Sequence, residues 1–160
     1  MPSLNPYLNF NGNTEEAFNF YKSVFGGEFA VVSRFKDIPA EFKGPAHEDN
    51  KIMHISLPIT GGNVIMGSDV PEAMHKVTMG NNVQISIQPS SKEEADKLFN
   101  GLSAGGNVMM PMADAFWGAY FGMFTDRFGI NWMINWDANH KQYKGEYSHR
   151  ENSICVKHEL

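Results

Sequence analysis

A short pattern that occurs twice limits the possible folds of this 160-residue chain more than any other feature. The first copy begins at Asn13 and the second at Ser91, and an offset of 78 residues holds through both copies without gaps. Self-similarity at a fixed spacing indicates a duplicated structural unit. Each copy has an acidic pair before an alanine, then an aromatic residue, then a glycine: Glu15-Glu16-Ala17, Tyr21 and Gly27 in the first, and Glu93-Glu94-Ala95, Phe99 and Gly105 in the second.

The residues around each copy predict one strand, one helix and three further strands. Asn13 and Ser91 each precede a glutamate by three positions, which is typical of a capped helix start. Apolar residues at helical spacing follow, and segments of alternating polarity on both sides favour strands. We therefore predict an α+β fold of two paired βαβββ modules, about residues 4–67 and 82–136. Together they would form a single domain over residues 1–136, followed by a polar C-terminal tail at 137–160.

The aromatic segment at 116–136 contains all three tryptophans and predicts a hairpin. Its middle, residues 125–129, is a polar turn that ends in Gly129, and glycine supplies the positive φ that such a turn requires. Asp126 in this turn is expected to accept hydrogen bonds from turn amides. The hairpin is either a packed part of the core or has one face that lines a ligand cavity.

Charge and composition narrow the range of partners. The net charge is −5 and the sequence has no basic block, which argues against a nucleic-acid partner. No apolar run approaches the ~18 residues that a membrane span needs, and the first residues lack the features of a secretory signal. The single cysteine, Cys155, cannot form an internal disulfide. These features predict a cytoplasmic protein with neither a membrane nor a nucleic-acid partner.

Six segments resemble one known family: Asn5-Pro-Tyr-Leu-Asn-Phe-Asn-Gly-Asn13, Glu15-Glu-Ala-Phe-Asn-Phe-Tyr21, Phe25-Gly-Gly-Glu28, Met66-Gly-Ser-Asp69, Phe116-Trp-Gly118 and Asp126-Arg-Phe-Gly-Ile-Asn-Trp-Met-Ile-Asn135. Together with the strand around His54, they resemble the PhnB-like branch of the vicinal oxygen chelate superfamily, over roughly residues 4–136. That superfamily includes glyoxalase I, bleomycin-resistance proteins and extradiol dioxygenases. The resemblance implies two βαβββ modules whose sheets curl around a cavity, and a homodimer. The branch is often described as a methyltransferase, but no glycine-rich loop that would hold a nucleotide-like cofactor follows a predicted strand.

The metal enzymes of this superfamily bind one divalent ion through histidine and glutamate on the first and last strands of each module. Carried over by the helix and turn landmarks, these positions fall near Pro6, Met66, Gln84 and Met133. Proline has no side-chain ligand atom, and methionine is too soft for Mg²⁺, Mn²⁺ or Zn²⁺. Only Gln84 offers an oxygen. The resemblance therefore implies a member without the usual metal site, and we expect no cofactor.

His54 is the one histidine inside a predicted strand. One interpretation is that it faces the cavity and serves as a base or a hydrogen-bond partner for a ligand. The other is that it is a hydrogen-bonded histidine of the sheet without a role in function. Glu48 and Asp49 fall on a polar loop and are expected to be solvated.

The predicted function is metal-independent binding of a small molecule in an apolar and aromatic cavity; whether the protein is an enzyme stays open. Trp117 and Tyr120 are expected to stack on the ligand, with His54 as its polar anchor. A metal-dependent lyase or dioxygenase with an unconventional site around His54 and Gln84 is one alternative. A drug-sequestering protein of the bleomycin-resistance type is another, and the charge of −5 would favour a cationic drug. The candidate ligand-binding residues are Phe10, His54, Met66, Gln84, Trp117, Tyr120 and Trp132.

Overall fold

A computed structural model describes residues 3–138, which contain two similar units, each with one helix and four strands. The predicted tail lies, apart from its first two residues, outside the described residues. The first unit contains β1 (Tyr7–Phe10), α1 (Thr14–Phe25), β2 (Val31–Arg34), β3 (Ile52–Pro58) and β4 (Val64–Asp69). The second contains β5 (Ile85–Ile87), α2 (Lys92–Ser103), β6 (Asn107–Asp114), β7 (Tyr120–Thr125) and β8 (Asn131–Trp136).

The two sheets have the same topology. Their strand orders are β1-β4-β3-β2 and β5-β8-β7-β6, and in each sheet the first strand is parallel to the last while the other pairs are antiparallel. The prediction of an α+β fold made of two βαβββ modules is therefore confirmed. The two sheets are separate, and within residues 3–138 they do not close around a cavity.

The final hairpins of the two units correspond closely. Residues 59–63 join β3 to β4 and residues 126–130 join β7 to β8, and a backbone bond closes each turn, from Ile59 N to Asn63 O (2.9 Å) and from Asp126 N to Ile130 O (2.8 Å). The offset between equivalent residues is thus 67 here, compared with 78 at the helices. The difference arises because residues 35–51, between β2 and β3, form a longer connection than residues 115–119, between β6 and β7. The long connection was predicted as a polar loop, and it contains three short 3-10 turns.

The two helices begin where the sequence predicts, but their first turns are held differently. Ser91 Oγ accepts from Glu94 N at 3.1 Å, as expected of a helix cap. Asn13 makes no such bond, so the side-chain cap expected at this helix start is not formed. The carboxylate of Asp69, at the end of β4, instead accepts from the amide and the hydroxyl of Thr14 (3.1 and 2.6 Å). The first helix is therefore fixed by tertiary contacts and the second by a local cap.

One hydrophobic core joins the two units. Inward-facing side chains of both sheets and both helices belong to a single buried cluster that includes Phe18 of α1 and Phe99 of α2. Helix α1 lies so close to β4 that a Cβ on Gly67 would come within 2.7 Å of the Phe18 ring. Glycine at this position therefore allows the helix to lie directly on the sheet.

A buried carboxylate in the last turn connects the units by hydrogen bonds. Asp126 accepts from the amides of Phe128 (2.8 Å) and Ile130 (3.0 Å), as the turn prediction proposed. It also accepts from the Tyr21 hydroxyl (2.7 Å) of α1 and from the Trp132 indole (2.9 Å) of β8. Gly129 in the same turn has φ of 89°, the positive value that was predicted. The turn therefore fixes the first helix against the second sheet.

Candidate ligand-binding faces of the two sheets

Each sheet has one face that packs on a helix and one face that carries no element of the described chain; we call the latter the first and second open faces. Along β4, Ile65, Gly67 and Asp69 are buried on the helix side, while the alternate residues are less buried. The pairing register extends this alternation across the neighbouring strands. On the first open face lie Tyr7, Asn9, Val31, Ser33, His54, Ser56, Met66 and Ser68, and on the second lie Ser86, Met110, Phe121, Met123, Thr125, Asn131, Met133 and Asn135.

The first open face contains one well-defined polar pair. The Tyr7 hydroxyl lies 3.0 Å from His54 Nδ1, and the two rings stack with centroids 5.7 Å apart. The phenol can donate to or accept from the imidazole, so the tautomer of His54 determines which of the two groups donates. In either case the bond to Tyr7 fixes the orientation of the ring and of its second nitrogen, Nε2. His54 therefore has a feature of each interpretation: its side chain is hydrogen-bonded within the sheet, and it lies on the face that no described helix covers.

The cross-strand residue pairs that contain Met66 and Met133 offer neither an imidazole nor a carboxylate. Tyr7 pairs with Met66 across β1 and β4, and Ser86 pairs with Met133 across β5 and β8. Pro6 and Gln84, the positions expected from the helix landmarks, directly precede β1 and β5. The paired residues themselves offer one phenol, one hydroxyl and two thioethers. Such a set does not fit a divalent ion of the kind that oxygen and nitrogen ligands hold.

The second open face is more apolar, and a loop with two exposed aromatic rings adjoins it. Met110, Met123 and Met133 lie on neighbouring strands of this face. The Trp117 ring, 54% exposed, packs edge-on against Phe121 with centroids 5.6 Å apart. Trp117 therefore extends the apolar surface of the face beyond the sheet.

The seven candidate ligand-binding residues are divided between different environments. His54 and Met66 lie on the first open face, Gln84 directly precedes β5, and Trp117 is on the β6–β7 loop. Phe10 and Trp132 are 0% and 1% exposed in the core, so packing is their evident role in this chain. Ligand binding by any of the seven stays a prediction.

Tyr120 faces the helix side of its sheet instead of an open face. Its hydroxyl donates to Asp96 of α2 at 2.7 Å, and Lys92 Nζ lies 4.7 Å from its ring centroid. The hydrogen bond to Asp96 and partial burial raise the pKa of the Tyr120 phenol. These contacts give Tyr120 a role in holding α2 on the sheet, so the expected stacking on a ligand does not fit its position.

A polar cluster at one end of the first sheet was missed by the sequence reasoning. Glu48, expected to be solvated, is only 4% exposed, and its Oε1 accepts from the amide of Glu72 at 2.9 Å and from Lys51 Nζ at 3.3 Å. His47 Nε2 lies 3.2 Å from Glu72 Oε2. The hydrogen bonds from Lys51 and His47 lower the pKa of the Glu72 carboxyl. No sequence signal joins these residues, because Glu72 belongs to a different connection from His47 and Glu48.

The duplicated βαβββ fold with open sheet faces defines the class of glyoxalase, bleomycin-resistance and dioxygenase proteins. A family model described as 3-demethylubiquinone-9 3-methyltransferase matches residues 2–135. The chain belongs to this PhnB-like family of the vicinal oxygen chelate superfamily.

Solved structures and a curated relative agree with this assignment. Protein PA1353 from Pseudomonas aeruginosa is 42% identical with a TM-score of 0.76, over 86% of this chain and 98% of that one. A structure from Bacillus cereus, titled a putative 3-demethylubiquinone-9 3-methyltransferase, PhnB protein, is 25% identical with a TM-score of 0.66, over 84% of this chain and 99% of that one. Protein YjdN of Escherichia coli is 29% identical over 82% of this chain and 93% of its own length. No helix among the described residues has the length and apolar character needed to cross a membrane.

Proposed function

We propose that this protein binds a small molecule without a metal ion, against the open faces of its sheets, and that a second copy of the chain completes the site. The observation that carries the proposal is the Tyr7–His54 pair, which places an oriented polar group on a sheet face beside Met66. Such a combination of a few fixed polar groups with an apolar surface is typical of ligand sites.

The shape of the faces supports the need for a second copy. Ligand sites usually bury 70–90% of a bound small molecule. A four-stranded sheet with one open face covers a ligand from one side only. A second chain placed face to face would cover the other side and would also remove the exposed apolar side chains from water. A homodimer is therefore part of the proposed site.

The side chains of the faces indicate the kind of ligand. Methionine is flexible and polarisable, so Met66, Met123 and Met133 would adapt to an irregular apolar ligand. Trp117 and Phe121 offer ring faces and edges for an aromatic group. His54 Nε2 would form a hydrogen bond with a polar atom of the ligand. We infer a ligand that is mainly apolar or aromatic and carries at least one polar atom.

Metal chemistry at His54 has little support from its neighbours. The Nδ1 atom is already bound to the Tyr7 hydroxyl, and the strand neighbour of His54 in β2 is Ser33. A divalent ion at His54 would need further imidazole or carboxylate ligands, and the open-face set around it provides hydroxyls, amides and thioethers. The lyase and dioxygenase alternatives are thus less well supported than metal-independent binding.

Methyl transfer, which the description of the family names, also lacks support here. Methyl donors of the nucleotide type are usually bound by a parallel sheet with a glycine-rich first turn. In the described part of this chain, the sheets are mixed, and the β1–α1 connection is Asn11-Gly12-Asn13. The described sheets therefore give methyl transfer no support beyond the name of the family.

Binding of Nile red, a neutral aromatic dye, tests the proposal. Trp117→Ala should weaken dye binding about tenfold, because aromatic contacts of ~1 kcal/mol and the lost apolar area together approach one decade in affinity. Trp117→Ala should cost little unfolding free energy, since about half of Trp117 is already exposed. Phe42→Ala is the matched control, because Phe42 is an exposed aromatic residue on the β2–β3 connection. Dye fluorescence titrations and urea unfolding of the same samples give both quantities.

Two outcomes would contradict the proposal. Equal dye affinity of wild type, Trp117→Ala and Phe42→Ala would show that the second open face does not bind it. A loss of several kcal/mol in stability with unchanged affinity per folded molecule would show that Trp117 is a packing residue. Native mass spectrometry of protein from its own host should in addition detect a retained small molecule, whose capture decreases in His54→Ala.

A further inference from the structure

Three potential metal ligands meet at the end of the first sheet where β3 begins and β4 ends. Ligand atoms of His47, Glu48 and Glu72 all lie within 4.8 Å of one another. His47 and Glu48 come from the β2–β3 connection, and Glu72 comes from the segment after β4. Their convergence therefore depends on the tertiary fold and brings two separate connections together.

A cation already occupies this cluster. Lys51 Nζ lies 2.9 Å from Glu72 Oε1 and 3.3 Å from Glu48 Oε1. With a neutral His47, the carboxylates of Glu48 and Glu72 and the ammonium of Lys51 give the cluster a net charge of −1. Glu48 is buried, and its Oε1 is oriented by the Glu72 amide. A preoriented buried carboxylate is a better ligand than a mobile one on the surface.

We propose that His47, Glu48 and Glu72 form a binding site for a divalent transition metal of the zinc type, in which the metal replaces the Lys51 ammonium. One imidazole and two carboxylates form a ligand set that suits Zn²⁺. With metal–ligand distances of about 2.0–2.2 Å, tetrahedral ligand atoms lie ~3.3–3.6 Å apart. The distance of 3.2 Å between His47 Nε2 and Glu72 Oε2 is close to that value. Rotation of the exposed His47 and Glu72 side chains would bring their distances to the Glu48 carboxylate to the same value.

Three protein ligands leave one coordination position for water or an exogenous ligand, as in catalytic zinc sites. A cavity of about 270 Å³ adjoins the cluster, and Glu72 lines it together with His75 and Lys76. This site is separate from the two open faces, because its residues belong to connections and not to the open sides of strands. The site would clip the long β2–β3 connection to the segment that follows β4.

Zinc titration of the full chain, after treatment with a chelator, tests the proposal. We expect one Zn²⁺ per chain to bind at this site, with a rise in melting temperature because the metal binds the folded state. His47→Ala and Glu72→Gln should each lower the zinc affinity at least about tenfold. Loss of a residue that only orients a metal ligand already costs about tenfold or more in metal affinity, and these two residues are proposed as direct ligands. Lys51→Met should raise the affinity roughly tenfold, because a competing positive charge is removed. His54→Ala is the matched histidine control and should bind zinc as wild type does.

Three results would overturn the proposal. One is zinc binding that survives in His47→Ala at wild-type affinity, which would place the metal on other histidines of the chain. Another is a loss of binding in His54→Ala, which would place it on the first open face. The third is an affinity that does not rise in Lys51→Met, which would exclude exchange of the ammonium for the metal. Circular dichroism of each variant establishes that it is folded, so that lost binding is attributable to the lost ligand.

Discussion

At the scale of single residues, Asp126 has a larger role than its place in a turn indicates. Two turn amides, a phenol and an indole converge on its buried carboxylate. The sequence predicted the amide contacts, because an aspartate in a short turn commonly makes them. It did not predict the contact with Tyr21, since residues 105 positions apart in the chain are brought together only by the packing of the two units.

Removal of the Tyr21 hydroxyl should have an effect on stability that depends on pH. The pKa of the Tyr21 phenol is raised above the value of about 10 that it has in the unfolded chain. Burial is the larger cause and the charge of Asp126 is the smaller one. The contribution of the neutral phenol to stability is therefore complete below about pH 10. Above it, the unfolded chain loses the proton first, and stability falls by up to ~1.4 kcal/mol per pH unit.

Tyr21→Phe should thus cost about 1.5–3 kcal/mol near pH 8, the value for a hydrogen bond to a charged group. The difference from wild type should shrink towards about pH 11, since the variant lacks the titrating phenol. Urea unfolding at both pH values measures this. A difference that is constant over this range would show that the hydroxyl contributes by packing alone.

The candidate site residues show what single positions in a sequence do and do not reveal. His54 lies on the opposite side of β3 from Ile55 and Leu57, as the alternation of side chains along a strand predicts, because strand alternation is a local property. Tyr120 and Trp132 were chosen because they are aromatic, and aromatic character does not distinguish the two faces of a strand. Which side of the sheet the helix covers is a property of the assembled fold, and on that side Trp132 is buried and Tyr120 is partly buried.

At the scale of elements, the start of a helix was well predicted but its stabilisation was not. The spacing of a polar residue and a glutamate marks both helix starts, and both helices begin there. Only the second uses the cap, since Asp69 already satisfies the first turn of α1. The sequence cannot distinguish these cases because Asp69 is distant from α1 along the chain.

Substitution of the two cap residues by alanine should therefore have unequal effects. Ser91→Ala removes the bond to the Glu94 amide and should cost ~1 kcal/mol of unfolding free energy. Asn13→Ala removes no cap bond and should cost only a few tenths of that value. The midpoints of chemical denaturation compare the two variants directly. Equal losses would mean that intrinsic preference at the cap, and not the hydrogen bond, sets the stability.

At the scale of the whole molecule, the duplicated topology was predictable from the sequence, and the arrangement of the units was not. Matching helix signals and glycines at a fixed offset predicted two equal units, and the two sheets have identical strand order. The expected enclosed cavity is absent from the described single chain, because the helix faces pack on each other and leave the opposite faces open. Burial of those faces would require a partner, which a pattern of residues within one chain does not specify.

The proposed homodimer makes a specific prediction for the molecular mass in solution. Sedimentation at micromolar concentration should give about twice the monomer mass of 17.9 kDa. Met66→Lys should shift the equilibrium towards monomer, because it would bury an unpaired charge on the first open face. Asn19→Lys adds the same charge on the exposed side of α1 and should leave the dimer intact. A wild-type monomer, or equal dissociation of both variants, would contradict an interface formed by the open faces.

The bond between Tyr21 and Asp126 also makes the two halves of the duplicated fold unequal. The counterpart of Tyr21 in the second unit is Phe99, which has no hydroxyl, and the counterpart of Asp126 in the first hairpin is Ile59, which has no carboxylate. The first half therefore supplies the donor and the second half the acceptor, so the duplicated fold contains this bond once. A chain made of two copies of the first half would bury the Tyr21 phenol without its acceptor. A chain made of two copies of the second half would leave Asp126 with its turn amides and the Trp132 indole but without the bond to the other unit.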